Sequence, residues 1–341
     1  MSLGKASATG AVPWVEKYRP RAIGDIISHE EIMGALKKLI ASNSLPHLLF
    51  YGPPGTGKTT TILSCARLIY GDGPLKGNVL ELNASDDRGI EVVRNQIKDF
   101  ASTAQVFSTV SFKLIILDEA DQMSGEAQAA LRRVIEKYTK NVRFCILCNH
   151  VNKVIPAIQS RCSRFRFAPL KKAQMMPRLT HVLGEERVQY DDPGLSAAIR
   201  LSGGDMRRCI NILQGATMSL GSISEESVYQ CTGAPAPKDV RTIVEVMVGR
   251  DFPEAFEGVR SLAVSLGLSA MDIVREVHPF VLRMQFPDDC KGFLLERLAH
   301  LEHSLSQGGS EELSTASMVA AFQLAKEATA KQIPISAIYN P

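Results

Sequence analysis

Several features that narrow the class of a protein are scarce in this 341-residue sequence. Aromatic residues make up 6% of it, and Trp14 is the single tryptophan. No apolar run approaches the roughly 20 residues that a helix needs to span a bilayer, so we expect no association with a membrane. Residues 1–10 are small and polar with one lysine, unlike a secretory signal, and we expect a flexible tail over residues 1–12.

A strong charge imbalance and densely spaced cysteines are also missing. The 39 basic and 36 acidic residues give a net charge of +3, so contacts with nucleic acid require a local basic patch. Seven cysteines without dense spacing indicate a reducing compartment. Cys145 and Cys148 have the spacing of a zinc or redox pair, but they lie in an apolar β-like run where residues three apart face opposite sides. We favour two packed thiols and expect no structural metal.

Length and composition indicate a globular protein of two or three domains, because 341 residues are many for one core. The most informative stretch is residues 52–59, which match the phosphate-loop pattern G-x-x-x-x-G-K-[ST] between an apolar run and a helix-like run. Glycines allow backbone N–H groups to converge on phosphate oxygens at a helix N-terminus. Lys58 would neutralise the phosphates and Thr59 would ligate Mg²⁺. The candidate phosphate ligands are Gly52, Pro53, Pro54, Gly55, Thr56, Gly57, Lys58, Thr59 and Thr60.

Two acidic residues follow the third predicted strand, which covers residues 112–117 and has the apolar pattern of a strand buried on both faces. Ligands of open α/β sheets bind at the carboxyl ends of the strands, which is where these residues lie. Asp118 would hold Mg²⁺, and Glu119 would orient the water that attacks the γ-phosphate. Asp121 is interpreted as a helix-start residue.

Strands alternate with helices five times before residue 168, which predicts a doubly wound α/β core. The predicted strands cover residues 47–51, 79–82, 112–117, 142–148 and 164–167. Asn149 ends the fourth of these and either reaches the γ-phosphate or is a plain turn residue. Residues 13–20 contain two prolines and predict an extended arm, which either covers a nucleotide base or is a strap without ligand contact.

Beyond residue 168 only helix-like runs are evident. Residues 169–232 predict a small helical domain, residues 233–237 a linker, and residues 233–341 a helical domain without a cluster of catalytic residue types. We interpret this last domain as an interaction domain.

The phosphate loop, residues 118–121, the triplet 160–162 and residues 204–208, in that order, resemble a small subunit of the eukaryotic clamp loader, replication factor C. The resemblance implies an AAA+ ATPase core with a parallel five-stranded sheet over residues 13–168. A helical lid and a collar would follow, and the collar would build a ring with four related subunits.

The resemblance also implies roles for single residues in binding ATP and Mg²⁺. Asn149 and Arg207 would sense the γ-phosphate, the latter from the lid. Arg161, from the residues alone a surface arginine, would act in trans as an arginine finger in the neighbouring subunit's site. The implied catalytic set is Glu119, Lys58, Asn149 and Arg161. The residues that would frame the adenine are Val15, Glu16, Lys17, Tyr18 and Ile27.

The same resemblance implies a nuclear protein whose ring opens the sliding clamp PCNA and loads it on primer–template DNA in replication and repair. DNA would be held through its phosphates. Arg88, Arg94 and Lys98 are candidates for these contacts, although a solvated helix face explains them nearly as well. Asn83 is a candidate restraint on Glu119 until DNA binds.

Two other classes compete with this interpretation. Residues 118–121 have the sequence Asp-Glu-Ala-Asp, which is also a motif of nucleic-acid helicases. That class needs a second α/β domain, whereas the last third of this chain has a helical pattern. In a scaffold with a structural nucleotide, a water-orienting carboxylate such as Glu119 would serve no purpose.

Overall fold

The computed structural model describes residues 12–26, 29–71, 77–84, 90–102 and 112–339. The chain divides into two compact units, Met1–Ser224 and Glu225–Pro341. The tail expected over residues 1–12 lies outside the described residues except for Val12. The finer division of the first unit into a core and a lid stays a prediction.

A parallel five-stranded sheet forms the centre of the first unit, as predicted, with the strand order β2-β3-β4-β1-β5. Its strands are β1 (Leu48–Tyr51), β2 (Val79–Asn83), β3 (Lys113–Asp118), β4 (Val142–Cys148) and β5 (Ser163–Arg166). The helices of this part of the chain are α1 (Trp14–Lys17), α2 (Glu30–Ala41), α3 (Lys58–Tyr70), α4 (Ile90–Ser102), α5 (Gly125–Tyr138) and α6 (Pro156–Gln159).

Both faces of this sheet are buried, which explains why its central strands are continuously apolar. Ile115 and Ile146 pack into the apolar core on one face, whereas Leu114 and Ile116 pack into the core on the other. Cys145 and Cys148 follow the same alternation and lie in different cores, and burial raises the pKa of the Cys148 thiol to about 12. These two cysteines are therefore packed thiols on opposite faces.

The rest of the first unit is helical with a small sheet. It contains α7 (Lys172–Glu185), α8 (Asp192–Ser202) and α9 (Met206–Leu220). Two short strands, β6 (Gln189–Tyr190) and β7 (Ser222–Ile223), pair in parallel. The prediction that this region holds only helices was therefore wrong, because a two-residue strand is too short to produce a periodic pattern.

The second unit consists of helices in its described residues. These are α10 (Glu225–Thr232), α11 (Pro237–Gly249), α12 (Phe252–Leu266), α13 (Ala270–Val281), α14 (Asp288–Ser306) and α15 (Glu311–Lys331). Val244, Met247, Val277, Leu294 and Phe322 are among the residues of its apolar core. No described helix of the chain combines the length and apolar composition needed to cross a membrane.

The N-terminal arm differs from the predicted extended segment because it contains the one-turn helix α1. Pro13 stands immediately before that turn, where its fixed φ favours a helix start and its missing N–H costs nothing. The side chain of Trp14 is buried. The backbone N–H of the same residue donates to Gln214 Oε1 on α9 at 3.1 Å. The arm is thus packed onto the helical part of the first unit.

Candidate nucleotide-binding site

A cavity of about 230 Å³ lies where the phosphate loop, the carboxyl end of β3, the arm and the helices α7 and α9 meet. The predicted site residues that line it are Val15, Tyr18, Pro54, Gly55, Thr56, Gly57, Lys58, Thr59, Thr60, Asp118, Glu119, Asn149 and Arg207. The structure therefore brings most of the predicted nucleotide ligands into one cavity.

Lys58 is the first residue of α3 and lies 9% exposed at the base of the loop. Its Nζ donates to the carbonyl oxygens of Gly52 and Pro53, at 2.7 and 2.9 Å, and to Asn149 Oδ1 at 2.9 Å. All three acceptors are neutral, and burial lowers the pKa of the ammonium while the nearby Asp118 opposes that shift. A buried cation that bonds only neutral acceptors fits an anionic ligand such as phosphate.

The backbone of the loop also fits a phosphate. Gly57 precedes α3 with φ 94°, a conformation that L side chains rarely adopt, and so the loop turns directly into a helix N-terminus. Thr56 is buried, and its hydroxyl donates to the carbonyl oxygen of Pro53 at 2.9 Å. This side chain braces the loop from within.

Asp118 and Glu119 lie at the end of β3, beside the loop. Thr59 Oγ1 donates to Asp118 Oδ2 at 2.8 Å, so the two predicted Mg²⁺ ligands are in contact. Hydroxyl and carboxylate oxygens are the hard donors that Mg²⁺ prefers. Glu119 adopts the left-handed region with φ 54°, and its N–H donates to Asp118 Oδ1 at 2.8 Å. Such backbone strain turns Glu119 out of the strand direction at a point that lines the cavity.

Asn149 extends β4 into the cavity, where its side chain meets Lys58. The next residue is fixed by Asp121, whose Oδ2 accepts the backbone N–H of His150 at 3.1 Å. Asp121 lies in the first turn of a short 3₁₀ helix, Ala120–Gln122, which agrees with its interpretation as a helix-start residue, although Glu119 is the N-cap. In addition, its carboxylate connects the end of β3 to the end of β4.

Helix α9 begins against the phosphate loop. The N–H of Met206 donates to Gly55 O at 3.2 Å, and Asp205 caps the helix by accepting the N–H of Arg208 at 2.9 Å. Arg207 is exposed, lines the cavity and forms no ion pair within the described residues. A cation in the first turn of a helix opposes the helix dipole, and an anion in the cavity would relieve that repulsion.

The predicted adenine-framing residues divide into two groups. Val15 and Tyr18 line the cavity, whereas Glu16 and Lys17 do not. Glu16 pairs with Arg19 at 3.3 Å, and Lys17 pairs with Glu186 at 2.7 Å. The prediction for Ile27 falls outside the described residues.

Gln174 and Arg178 line the cavity although sequence reasoning did not identify them. They lie one turn apart on α7, and Arg178 Nη2 donates to Tyr18 O at 2.5 Å. No local motif marks them, because only the packing of α7 on the arm brings them there. Their spacing of four residues was the one available signal.

The predicted arginine finger, the predicted DNA contacts and Asn83 either lie away from the cavity or fall outside the described residues. Arg161 does not line the cavity and lies at the surface, 34% exposed. Lys98 is exposed on α4. Arg88 and the side chain of Arg94 lie outside the described residues. Asn83 pairs in register with Asp118 at the edge of the sheet that carries the site.

Comparison with known proteins agrees with this geometry. The family model described as "ATPase family associated with various cellular activities (AAA)" matches residues 48–170, and the model "Replication factor C C-terminal domain" matches residues 235–321. Replication factor C subunit 5 of Mus musculus is 51% identical over 93% of both chains. Replication factor C subunit 3 of Schizosaccharomyces pombe is 48% identical over 94% of this chain and 93% of its own.

The chain belongs to the replication factor C family. It is a subunit of the clamp-loader type that acts in DNA replication, and it carries an AAA ATPase domain, as the resemblance implied. Among solved structures, the Holliday-junction branch migration motor RuvB of Thermotoga maritima superposes with a TM-score of 0.52 at 14% identity. That match covers 74% of this chain and 86% of RuvB, and it supports the fold alone.

Proposed function

We propose that this replication factor C subunit hydrolyses ATP to ADP and phosphate as part of a five-subunit ring in the nucleus. The ring opens the sliding clamp PCNA and loads it on primer–template DNA for replication and repair. The observation that carries the proposal is the single cavity that holds Lys58, the Thr59–Asp118 pair, Glu119, Asn149 and Arg207. Each group needed for phosphoryl transfer to water has a candidate residue there, except the arginine finger.

In this proposal the phosphate loop and the N-terminal arm bind ATP. Lys58 exchanges its neutral acceptors for phosphate oxygens, whose negative charge opposes the lowering of the ammonium's pKa by burial. Val15 and Tyr18 supply apolar and aromatic surface for the base. Thr59 and Asp118 would hold Mg²⁺. Mg²⁺ bound there would neutralise negative charge on the triphosphate.

Glu119 and Asn149 carry out the hydrolysis of the bound ATP in this proposal. The carboxylate of Glu119 orients a water and accepts its proton, from a backbone position that the left-handed conformation fixes. Asn149 holds Lys58 and bonds the γ-phosphate or the attacking water. Arg207 bonds the γ-phosphate from α9, so a bound triphosphate favours a closed lid.

Arg161 acts on a neighbouring subunit in this proposal. It lies away from its own chain's cavity, which supports action in trans, and an arginine supplied in trans stabilises charge on the transferring phosphoryl group. Four related subunits, the clamp and DNA phosphates complete the assembly. Lys98, Arg88 and Arg94 stay the candidates for DNA contact.

The helicase and scaffold alternatives receive less support. In its described residues the second unit is helical, whereas a helicase of this class needs a second α/β domain. A scaffold would not need the strained Glu119 in a cavity with Asp118 and Thr59.

Steady-state ATP turnover tests the proposal, measured for the chain alone and in complex with four partner subunits, each with and without clamp and primed DNA. We expect low turnover for the chain alone and stimulation by clamp and DNA in the complex. Changing Lys58→Met should lower nucleotide affinity of this subunit about 100-fold, since it removes charge-assisted bonds worth about 3 kcal/mol. Strong turnover by the chain alone, indifferent to clamp and DNA, would refute the clamp-loader mechanism.

A further inference from the structure

Arg161 is held by two contacts on its own subunit. Its Nη2 lies 2.6 Å from Glu136 Oε1, and its Nη1 donates to the carbonyl oxygen of Ala157 at 2.6 Å. Glu136 belongs to α5 and Ala157 to α6, so two helices contact one guanidinium. A guanidinium has five N–H donors, and these contacts leave donors unused by the described residues.

Glu136 is itself fixed by a second arginine. Arg132 Nε lies one helical turn earlier and donates to the same Oε1 at 3.1 Å. The hydrogen bond from Arg132, followed by the charges of both arginines, lowers the pKa of Glu136. The carboxylate is therefore ionised at neutral pH, and the cluster of Arg132, Glu136 and Arg161 keeps a net charge of +1.

Stability does not explain this cluster. Arg161, Glu136 and Arg132 have side chains 34%, 42% and 47% exposed, and ion pairs at such exposure contribute little to folding. The contacts do restrict the rotation of a long, flexible side chain. Restricting it before a ligand arrives removes an entropy cost that binding or catalysis would otherwise include.

We propose that Glu136, held by Arg132, is a positioning residue that orients Arg161 toward a phosphate bound on the neighbouring subunit. This inference rests on the proposed role of Arg161 as an arginine finger. The Ala157 carbonyl and the Glu136 carboxylate hold one part of the guanidinium, and the remaining donors face an incoming phosphate. The net positive charge of the cluster attracts that phosphate.

The variants Glu136→Gln, Glu136→Asp and Arg132→Gln test the proposal in the assembled five-subunit complex, with Arg161→Ala as the reference. We expect Glu136→Gln to lower kcat at the neighbouring site roughly tenfold with KM unchanged, since misorientation of a catalytic group costs rate. Glu136→Asp keeps the charge and should restore part of the rate. Arg132→Gln should give a smaller loss. Glu327→Gln breaks an exposed i,i+4 pair with Lys331 on α15 and should leave turnover unchanged.

A second readout does not depend on turnover. Trapping of a fluorescent ADP by aluminium fluoride reports a complete transition-state site, and we expect Glu136→Gln to weaken it at the neighbouring site without changing ADP binding alone. The melting temperature of the isolated chain should not change, because all three side chains are exposed.

The outcomes separate this inference from the proposed function. If Arg161→Ala leaves turnover and trapping unchanged, the finger role itself fails. If Arg161→Ala lowers both and Glu136→Gln matches the unsubstituted complex, only the positioning role of Glu136 fails. Faster turnover by Glu136→Gln would overturn it as well, since the carboxylate would then restrain Arg161.

Discussion

His47, at the start of β1, is a buried titratable residue outside the nucleotide cavity. The residue is 8% exposed, and its Nδ1 accepts the N–H of Phe144 at 3.1 Å. Its Nε2 lies 3.4 Å from Thr139 Oγ1, whose hydroxyl donates to Ile135 O at 2.6 Å. Because Nδ1 is an acceptor and the Thr139 proton is already donated, Nε2 carries the hydrogen and the ring is neutral. The neutral imidazole thus joins β1, β4 and α5.

Acid should destabilise the protein through this residue. Burial, and secondarily the charge of Arg143, lowers the pKa of His47 to about 4. The unfolded chain binds the proton near pH 6.5, so the stabilisation is complete above that pH and is lost as pH falls toward 4. Between pH 7.5 and 5 we expect a loss of about 2 kcal/mol. Urea unfolding followed by Trp14 fluorescence measures it.

The control is His47→Asn, whose carbonyl can still accept the N–H of Phe144. Carboxylates titrate equally in both proteins, so the difference between them isolates the imidazole. A fall in stability of the same size in His47→Asn would show that other groups cause the acid sensitivity.

Local motifs made part of the site predictable at the scale of single residues. Lys58, Thr59 and Asp118 follow from two short patterns. The structure joins Thr59 to Asp118 by one hydrogen bond and Lys58 to Asn149 by another. Arg178 follows from neither pattern, because its place in the cavity depends on how α7 packs against the arm. Sequence therefore predicts contacts set by a strand–loop–helix turn, but not those set by tertiary packing.

At the scale of elements, the phosphate loop contacts the start of helix α9 at Gly55. Gly55 has φ 65°, and a Cβ at its position would lie 1.6 Å from Asp205 Oδ1. Asp205 caps α9, and Gly55 O accepts the N–H of Met206. A side chain at position 55 would therefore strain the loop and displace the helix cap together.

Gly55→Ala should lower the free energy of unfolding by about 2 kcal/mol, roughly half from the left-handed backbone and half from the lost cap. Nucleotide affinity should fall as well, since the loop shifts. Gly125→Ala is the matched control, because Gly125 begins α5 with open space around it. Urea unfolding of both variants measures the effect, and equal stability of the two would contradict the steric argument.

Periodicity explains which elements the sequence could predict. The strands β3 and β4 were predicted because burial on both faces makes them continuously apolar. The one-turn helix α1 was not, because two prolines and two aromatic residues within eight positions suggested an extended chain. The strands β6 and β7 are too short to show any alternation.

At the scale of the whole molecule, each unit has apolar cores of its own. The core with Val244, Val277 and Phe322 contains residues of the second unit alone, and both faces of the sheet are covered by residues of the first. The nucleotide cavity is lined by residues of the first unit. Separate cores allow separate cooperative transitions, and a ligand stabilises only the state that binds it.

Calorimetry of the full chain should therefore show two unfolding transitions. A bound nucleotide should raise the melting temperature of the first unit's transition alone. A slowly hydrolysed ATP analogue with Mg²⁺ at 100 times its Kd should stabilise the first unit by about 2.7 kcal/mol, which corresponds to an upward shift of several degrees. With its affinity about 100-fold lower, Lys58→Met should keep only about 0.4 kcal/mol of this stabilisation at the same ligand concentration, and the second unit's transition should stay in place. A single transition that moves as a whole would instead show that the two units unfold as one, because binding to the first would then stabilise both.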